Sequence, residues 1–378
     1  MQTRTSLGDL ARLFLRLGAT AFGGPAAHLA MMQDEVVRRR GWLTDAEFLD
    51  LLGATNLIPG PNSTEMAIHV GWRRRRWAGL VVAGVSFIVP AMLMTGALGW
   101  AYVRYGARPE AGWLLHGVKP IVLAVVVQAL IALAPRAASS WWLRILGVAA
   151  VVAAAAGVHE LVVLFGAGAI AVVRAGTARG GARASLVIPF LPIGAASAAS
   201  AVTLPSIFGV FLKIGSVLFG SGYVLLAFLR ADLVERRGWL TESQLLDAVA
   251  AGQVTPGPVF TTATFVGWVL DGPAGALVAT AGIFLPAFVF VAISGPLVPR
   301  LRASRTAAAF LDGVNVASLA LMAVVTAQLA RAAVVDVFTA LLAVASAILL
   351  LRFRTNTVWL VLGGAAAGFL AEAVGLAR

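Results

Sequence analysis

Long apolar stretches dominate the chain, and they fall into two sets with the same rhythm. Stretches near the twenty mostly apolar residues that a membrane crossing needs lie at 77–100, 117–134, 144–158, 161–173, 186–204, 274–296, 307–330, 333–350 and 356–374. The fourth is short and follows the third closely. Ahead of each set sits a less regular apolar block, 7–32 and 206–230, broken by glycines and carrying Arg12, Arg16 and Lys213. Blocks 46–72 and 245–270 come next, each interrupted by Pro-Gly-Pro, at Pro59-Gly60-Pro61 and Pro256-Gly257-Pro258. Between the members of each pair runs a short polar hairpin that reads RRGWLT both times. A proline lacks the N–H that a helix interior needs but suits a helix's first turn, so Pro-Gly-Pro ends one helix and starts another.

The two sets are copies, and a repeat is read before anything else. Arg39 to Thr44 matches Arg236 to Thr241 at every position, and Phe14, Gly18, Phe22 and Gly23 align with Phe211, Gly215, Phe219 and Gly220 at an offset of 197 residues. The offset becomes 196 from Gly71 and Gly267 through Pro90 and Pro286 to Gly117 and Gly313, a one-residue deletion. The predicted organisation is a first transport repeat at 1–175, a linker with a connecting transmembrane helix at 176–205, and a second repeat at 206–378. Six segments per copy plus one connector make about 13 membrane segments, an odd offset between the copies. The second repeat is therefore expected upside-down relative to the first. Loop charge agrees with this count. Arg73 to Arg76 precede the 77–100 stretch, whereas VLDGP stands at the matching place before 274–296. Arg136, Arg144, Arg174, Arg179, Arg183, Arg352 and Arg354 fall on the same side as Arg73 in this count, which is cytoplasmic by the positive-inside rule. The fold class is thus an all-α polytopic membrane protein of two inverted-topology repeats with broken or re-entrant helices.

Composition changes the picture by exclusion. Of 378 residues, 60% are hydrophobic and 12% charged, with a mean hydropathy of +0.90, against roughly 25% charged in a soluble domain. The chain is expected to be a multi-pass integral membrane protein with the lipid bilayer as its surrounding partner. Arg12 and Arg16 interrupt any signal-peptide core. The net charge of +12 reads as loop arginine that sets orientation, not as nucleic-acid binding. The chain has no cysteine, which removes disulfides and thiolate chemistry. Histidines 28, 69, 116 and 159 are scattered, no P-loop, HExxH or GxSxG pattern is present, and neither a metal nor a cofactor is expected. An enzyme would need a nucleophile–base pair or metal triad that the chain does not offer.

The breaks carry the candidate chemistry. Gly23-Gly24-Pro25 starts a helical run that holds His28. Pro61, followed by Asn62, Ser63 and Thr64, starts another, with Asn56 ahead of it. The second copy supplies Gly220-Ser221-Gly222 and Pro258, followed by Thr261 and Thr262. Helix starts present N–H groups and the positive end of the helix dipole, so facing repeats would line an oxyanion site with N–H groups and hydroxyls; plain kinks that let helices pack are the other reading. Arg16 aligns with Lys213, and each stands either for anion attraction or for snorkelling toward headgroups. Glu65 and His69 share a helical face and have Thr262 and Val266 as counterparts. They serve proton coupling or gating, or else pair with one another or with Arg73 to Arg76.

Phe22-Gly23-Gly24-Pro25 with His28, the RRGW hairpin, and Pro-Gly-Pro with Asn56 before and Thr64 after resemble the chromate ion transporter family, in its long-chain form with both halves in one polypeptide. The resemblance covers nearly the whole chain. It implies location in the bacterial inner membrane and efflux of chromate from the bacterial cytoplasm, with resistance to chromate, and sulfate as the look-alike anion. It carries family motif positions onto Gly23, Gly24, Pro25, His28, Asn56, Pro59, Gly60, Pro61 and Thr64, and onto Gly220, Gly222, Pro256, Gly257, Pro258 and Thr261. The second copy departs from the pattern at Ser221, Gly222 and Leu225, so the halves are not expected to bind alike. The expected function is secondary active export of a tetrahedral dianion by alternating access; a sulfate or other oxyanion transporter and a passive anion channel stay open, as does a homodimer.

Overall fold

The apolar stretches form helices, and their lengths sort them into two kinds. The structure is a computed structural model, and it describes residues 5–22, 24–106, 108–177, 201–219, 222–294, 304–353 and 355–373. In chain order the helices are α1 (Leu7–Thr20), α2 (Gly24–Gln33), α3 (Asp45–Thr55), α4 (Asn62–Tyr105), α5 (Pro109–Ala137), α6 (Trp141–Ala155), α7 (Glu160–Thr177), α8 (Leu204–Val217), α9 (Leu225–Leu229), α10 (Glu242–Val254), α11 (Thr262–Ser294), α12 (Arg305–Ala333), α13 (Val337–Phe353) and α14 (Thr357–Ala373). Among the described residues there is no strand. Four helical stretches are long and apolar enough to cross a bilayer: Asn62–Tyr105, Glu110–Ala137, Val259–Ser294 and Arg305–Ala333. The connecting stretch expected at 186–204 lies almost wholly outside the described residues.

α1, α2, α3 and α10 run 14, 10, 11 and 13 residues, about 15–21 Å at the rise of an α-helix. That is half a hydrocarbon core of about 30 Å. Each such helix meets its neighbour at a break, so the broken blocks are half-length hairpins. The boundary read between 46–72 and 77–100 is where the chain turns: α4 runs from Asn62 to Tyr105 with non-helical torsions at Arg75 and Arg76. In a straight helix Gly71 and Gly79 would be about 12 Å apart, yet a Cβ on either would strike the other's carbonyl. α4 therefore doubles back on itself. α11 does the same at Asp271 and Gly272, where Gly267 meets Gly275.

Local structure repeats at the sequence offsets. Thr44 and Thr241 each cap a helix through a capping box, with Glu47 and Gln244 as reciprocal partners. A π-helical turn follows the second half-helix in both copies, Asp34–Arg39 and Arg230–Arg236. Arg16 and Lys213, aligned in sequence, also match in contact: Arg16 pairs with Glu35 at 2.5 Å and Lys213 with Asp232 at 2.7 Å. Each pair braces the first half-helix of its copy against the π turn.

Close packing of α1 on α4 and of α8 on α11 depends on aligned glycines. A Cβ on Gly18 would overlap the Phe87 carbonyl, and one on Gly215 the Ile283 carbonyl. Backbone cannot give way as a side-chain end can, so overpacking here costs about 1–3 kcal/mol. Gly18→Ala and Gly215→Ala are each expected to lower the melting temperature of detergent-purified protein by several degrees. Gly209→Ala on the same α8, where a Cβ meets open space, is expected to leave it unchanged or raised. Equal melting temperatures for all three would contradict this packing.

Candidate functional site

A break inside a buried helix frees backbone groups, and unsatisfied groups in hydrocarbon cost several kcal/mol each. The breaks here satisfy one another across the copies. Gly60 N–H donates to the Leu218 carbonyl at 2.8 Å, and Gly257 N–H donates to the Ala21 carbonyl at 2.9 Å. Ala21 and Leu218 are the C-terminal caps of α1 and α8 and are themselves aligned at the 197-residue offset, as are Gly60 and Gly257. Each Pro-Gly-Pro thus caps the half-helix of the opposite copy. Gly60 and Gly257 adopt φ of 138° and 88°, a region that side-chain-bearing residues avoid. A Cβ on Gly257 would crowd Ala91 and the Gly18 carbonyl, each 2.8 Å away, and one on Gly60 would crowd the Glu65 carboxyl.

The two crossings differ in what surrounds them. Around Gly257 and Ala21 opens a cavity of about 330 Å³, lined by Gly24, His28, Gln128, Gln253, Thr255, Asn356 and Thr357 among others. Among the described residues its lining holds no lysine, arginine, aspartate or glutamate. Three helix starts reach it: α2 at Gly24, the 3-10 turn at Val259 ahead of α11, and α14 at Thr357. Such starts present N–H groups and the positive end of a dipole. His28 is buried, with Nε2 3.0 Å from the Ala21 carbonyl. Because a carbonyl only accepts, Nε2 carries the hydrogen in that bond. Nδ1 of His28 and Nε2 of Gln253 are buried without a partner. Gln128 Nε2 donates to the Leu350 carbonyl at 3.3 Å, tying α5 to α13 beside the cavity.

Around Gly60 the packing is closed. Ser63, Thr64, Glu65 and His69 are all buried, and Thr64 Oγ1, both Glu65 carboxyl oxygens and His69 Nε2 have no hydrogen-bond partner. Asn62 donates to Asn56 at 2.8 Å, an amide pair flanking the break. In the second copy the hydroxyls turn to their own helix start: Thr261 donates to the Pro258 carbonyl and Thr262 to that of Val259. Thr95 of α4 reaches Thr261 at 3.1 Å, a further link between copies.

Of the residues singled out from sequence, Gly24, His28 and Gly257 line the cavity, while Asn56, Asn62, Ser63, Thr64, Glu65 and His69 gather at the other crossing. Gly23, Gly220 and Ser221 lie outside the described residues. Arg16 sits at a separate open groove with Thr20, Asp34, Glu35 and Arg39, and Lys213 is engaged by Asp232. Sequence reasoning passed over Gln128, Gln253, Thr255, Asn356 and Thr357. Gln253 was findable, because it aligns with Asn56. Asn356 and Thr357 follow an apolar stretch from a remote part of the second copy, and nothing local points to them.

No solved structure gives a significant match to this chain. The chromate transporter family matches it over residues 8–172 and 193–369. A chromate transport protein of Cupriavidus metallidurans is 33% identical over 371 residues, covering 96% of this chain and 92% of its own. One from Pseudomonas aeruginosa is 34% identical over 334 residues, covering 84% and 80%. An uncharacterized transporter of Methanocaldococcus jannaschii is 25% identical over 356 residues, covering 84% and 83%. Family and apolar helices together make this a multi-pass protein of the inner membrane, and the chain belongs to the chromate transporter family.

Proposed function

We propose that the chain exports chromate or a like tetrahedral oxyanion from the cytoplasm, conferring resistance, with the cavity at Ala21 and Gly257 as its binding site. The observation that carries this reading is a polar cavity whose described lining is uncharged, reached by three helix starts and by amide and hydroxyl side chains. Neutral donors hold a dianion without a countercharge, as helix termini do in other anion sites. Neutral donors also let it leave, since each binds an anion less tightly than a charged partner does. A dianion that crosses uncompensated carries two charges, worth about 4.6 kcal/mol per 100 mV of membrane potential. In a cell negative inside, that energy drives outward movement. Sulfate offers the same shape and charge, and the lining names no group that separates the two.

Alternating access between inverted repeats is the proposed mechanism. Reciprocal bonding of Gly60 to Leu218 and Gly257 to Ala21 supports a two-fold relation between copies, and the inverted order expected from the sequence would lay that axis in the membrane plane. Arg16, Glu65 and His69 are the proposed gating or proton-coupling groups. Glu65 has no counter-cation within its buried site, and a buried charge without one is costly.

Chromate accumulation in everted membrane vesicles tests the function. Uptake is expected to saturate, to fall with excess sulfate and to collapse when the membrane potential is abolished. Non-saturating flux down the gradient would make the protein a channel. Gln253→Leu and Thr357→Val, which remove cavity-lining donors at similar volume, are expected to lower uptake at limiting chromate at least about tenfold, the worth of one good hydrogen bond to a charged ligand. Unchanged uptake in both would remove the cavity from the account. Reporter fusions after residues 178 and 303 are expected on the same, cytoplasmic face; opposite faces for the two would overturn the inverted arrangement.

A further inference from the structure

The cavity lies toward one end of the helices, and among the described residues four contacts of ionisable groups between the copies lie toward the other. α5 sets the scale. Its 29 residues span about 43 Å, so Lys119 and Gln128 are about 13 Å apart along its axis. Gln128 lines the cavity together with Thr355 to Val358, the turn between α13 and α14. Lys119 points the other way in this sense: its end of α5 also carries His116, which contacts Asp336 at 2.9 Å, at the opposite end of α13. Glu160 starts α7 at that same end, since α6 and α7 each reverse the chain direction, and it pairs with Arg236 and with Lys213 of the second copy.

The pair nearest the cavity is Lys119 with Asp247. Asp247 is 4% exposed, accepts from the Tyr102 hydroxyl at 2.9 Å, and has its other oxygen 3.7 Å from Lys119 Nζ without a hydrogen bond. Lys119 spends its hydrogen bond on Ser243, at 2.6 Å. Tyr102 and Lys119 come from the first copy, Ser243 and Asp247 from the second. The arrangement occurs once: the counterpart of Asp247 is the exposed Asp50, and that of Lys119 is Asn315. α10 continues from Asp247 to Gly252 and Gln253 at the cavity, and α5 from Lys119 to Gln128. Both helices that hold the pair therefore also hold the cavity.

We propose that the Lys119–Asp247 contact is the gate opposite the cavity mouth, closed in this conformation and opened when the repeats move to expose the site at the far face. The proposal rests on the alternating-access reading. Lys119 and Asp247 are positioning residues: they touch no substrate, and they act by holding the two copies together at one end. A buried pair that loses one partner is strongly destabilised, so removing either charge shifts the balance toward the open arrangement.

Absence of cysteine makes the test clean. Thr255→Cys places one thiol at the cavity, and a membrane-impermeant maleimide is applied to sealed vesicles from one face at a time. In the otherwise native chain, modification is expected from the Gln128 face only. Adding Asp247→Asn or Lys119→Met is expected to raise modification from the Lys119 face about tenfold, a modest shift for a two-state equilibrium. Asp247→Glu, which keeps the charge, is expected to stay closed. The exchanged pair Lys119→Asp with Asp247→Lys is expected to restore closure. Modification from the Lys119 face that stays low in both single variants, with labelling from the other face intact, overturns the gate and leaves alternating access standing. Equal modification from both faces in the native background defeats alternating access itself.

Discussion

A helix cannot be broken inside a membrane unless something else binds the backbone groups it frees. That constraint organises this protein. Four breaks, at the ends of α1 and α8 and at the two Pro-Gly-Pro elements, would each leave orphan N–H and C=O groups in hydrocarbon. Gly60 and Gly257 resolve them crosswise, each donating to the last carbonyl of the opposite copy's first half-helix. The copies are therefore interdependent at their centres. Neither set of half-length hairpins is satisfied alone, and the close approach needs glycine at both positions, because the backbone there takes a left-handed φ.

From a symmetric scaffold the chain builds an asymmetric middle. One crossing opens into the cavity with His28, Gln253 and Thr255; the other is packed shut around Thr64, Glu65 and His69. The difference traces to a few substitutions between copies. Glu65 stands against Thr262, Asn56 against Gln253, and Ile58 against Thr255. A duplication supplies the interlocking frame, and divergence at its tips leaves one cavity where symmetry alone would give two.

Much of this was legible before any coordinates. The helical character, the glycine and proline breaks and the repeat follow from patterning, since apolar runs and Pro-Gly-Pro have few other physical meanings. Arg16 and Lys213 were legible as a matched pair but not as ion-paired braces, because Glu35 and Asp232 reach them only through the π turns. The cavity was half legible. Gly24, His28 and Gly257 sit at the breaks where sequence points, whereas Gln128, Asn356 and Thr357 arrive from helices far away along the chain. No periodicity reports which distant side chains share a cavity. The turn at Arg75 and Arg76 falls where the arginine run divides the stretches 46–72 and 77–100, whereas the close approach of Gly71 to Gly79 across it is a feature of packing that no periodicity reports.

The central claim is that one oxyanion site forms where the second Pro-Gly-Pro meets the first copy's broken helix. Anomalous diffraction from chromium in crystals grown with chromate tests it most directly. The account predicts a single chromium peak in the cavity between Ala21, His28, Gln253 and Gly257. A peak instead beside Arg16 or Lys213, or at the Gly60 crossing with the cavity empty, would contradict it.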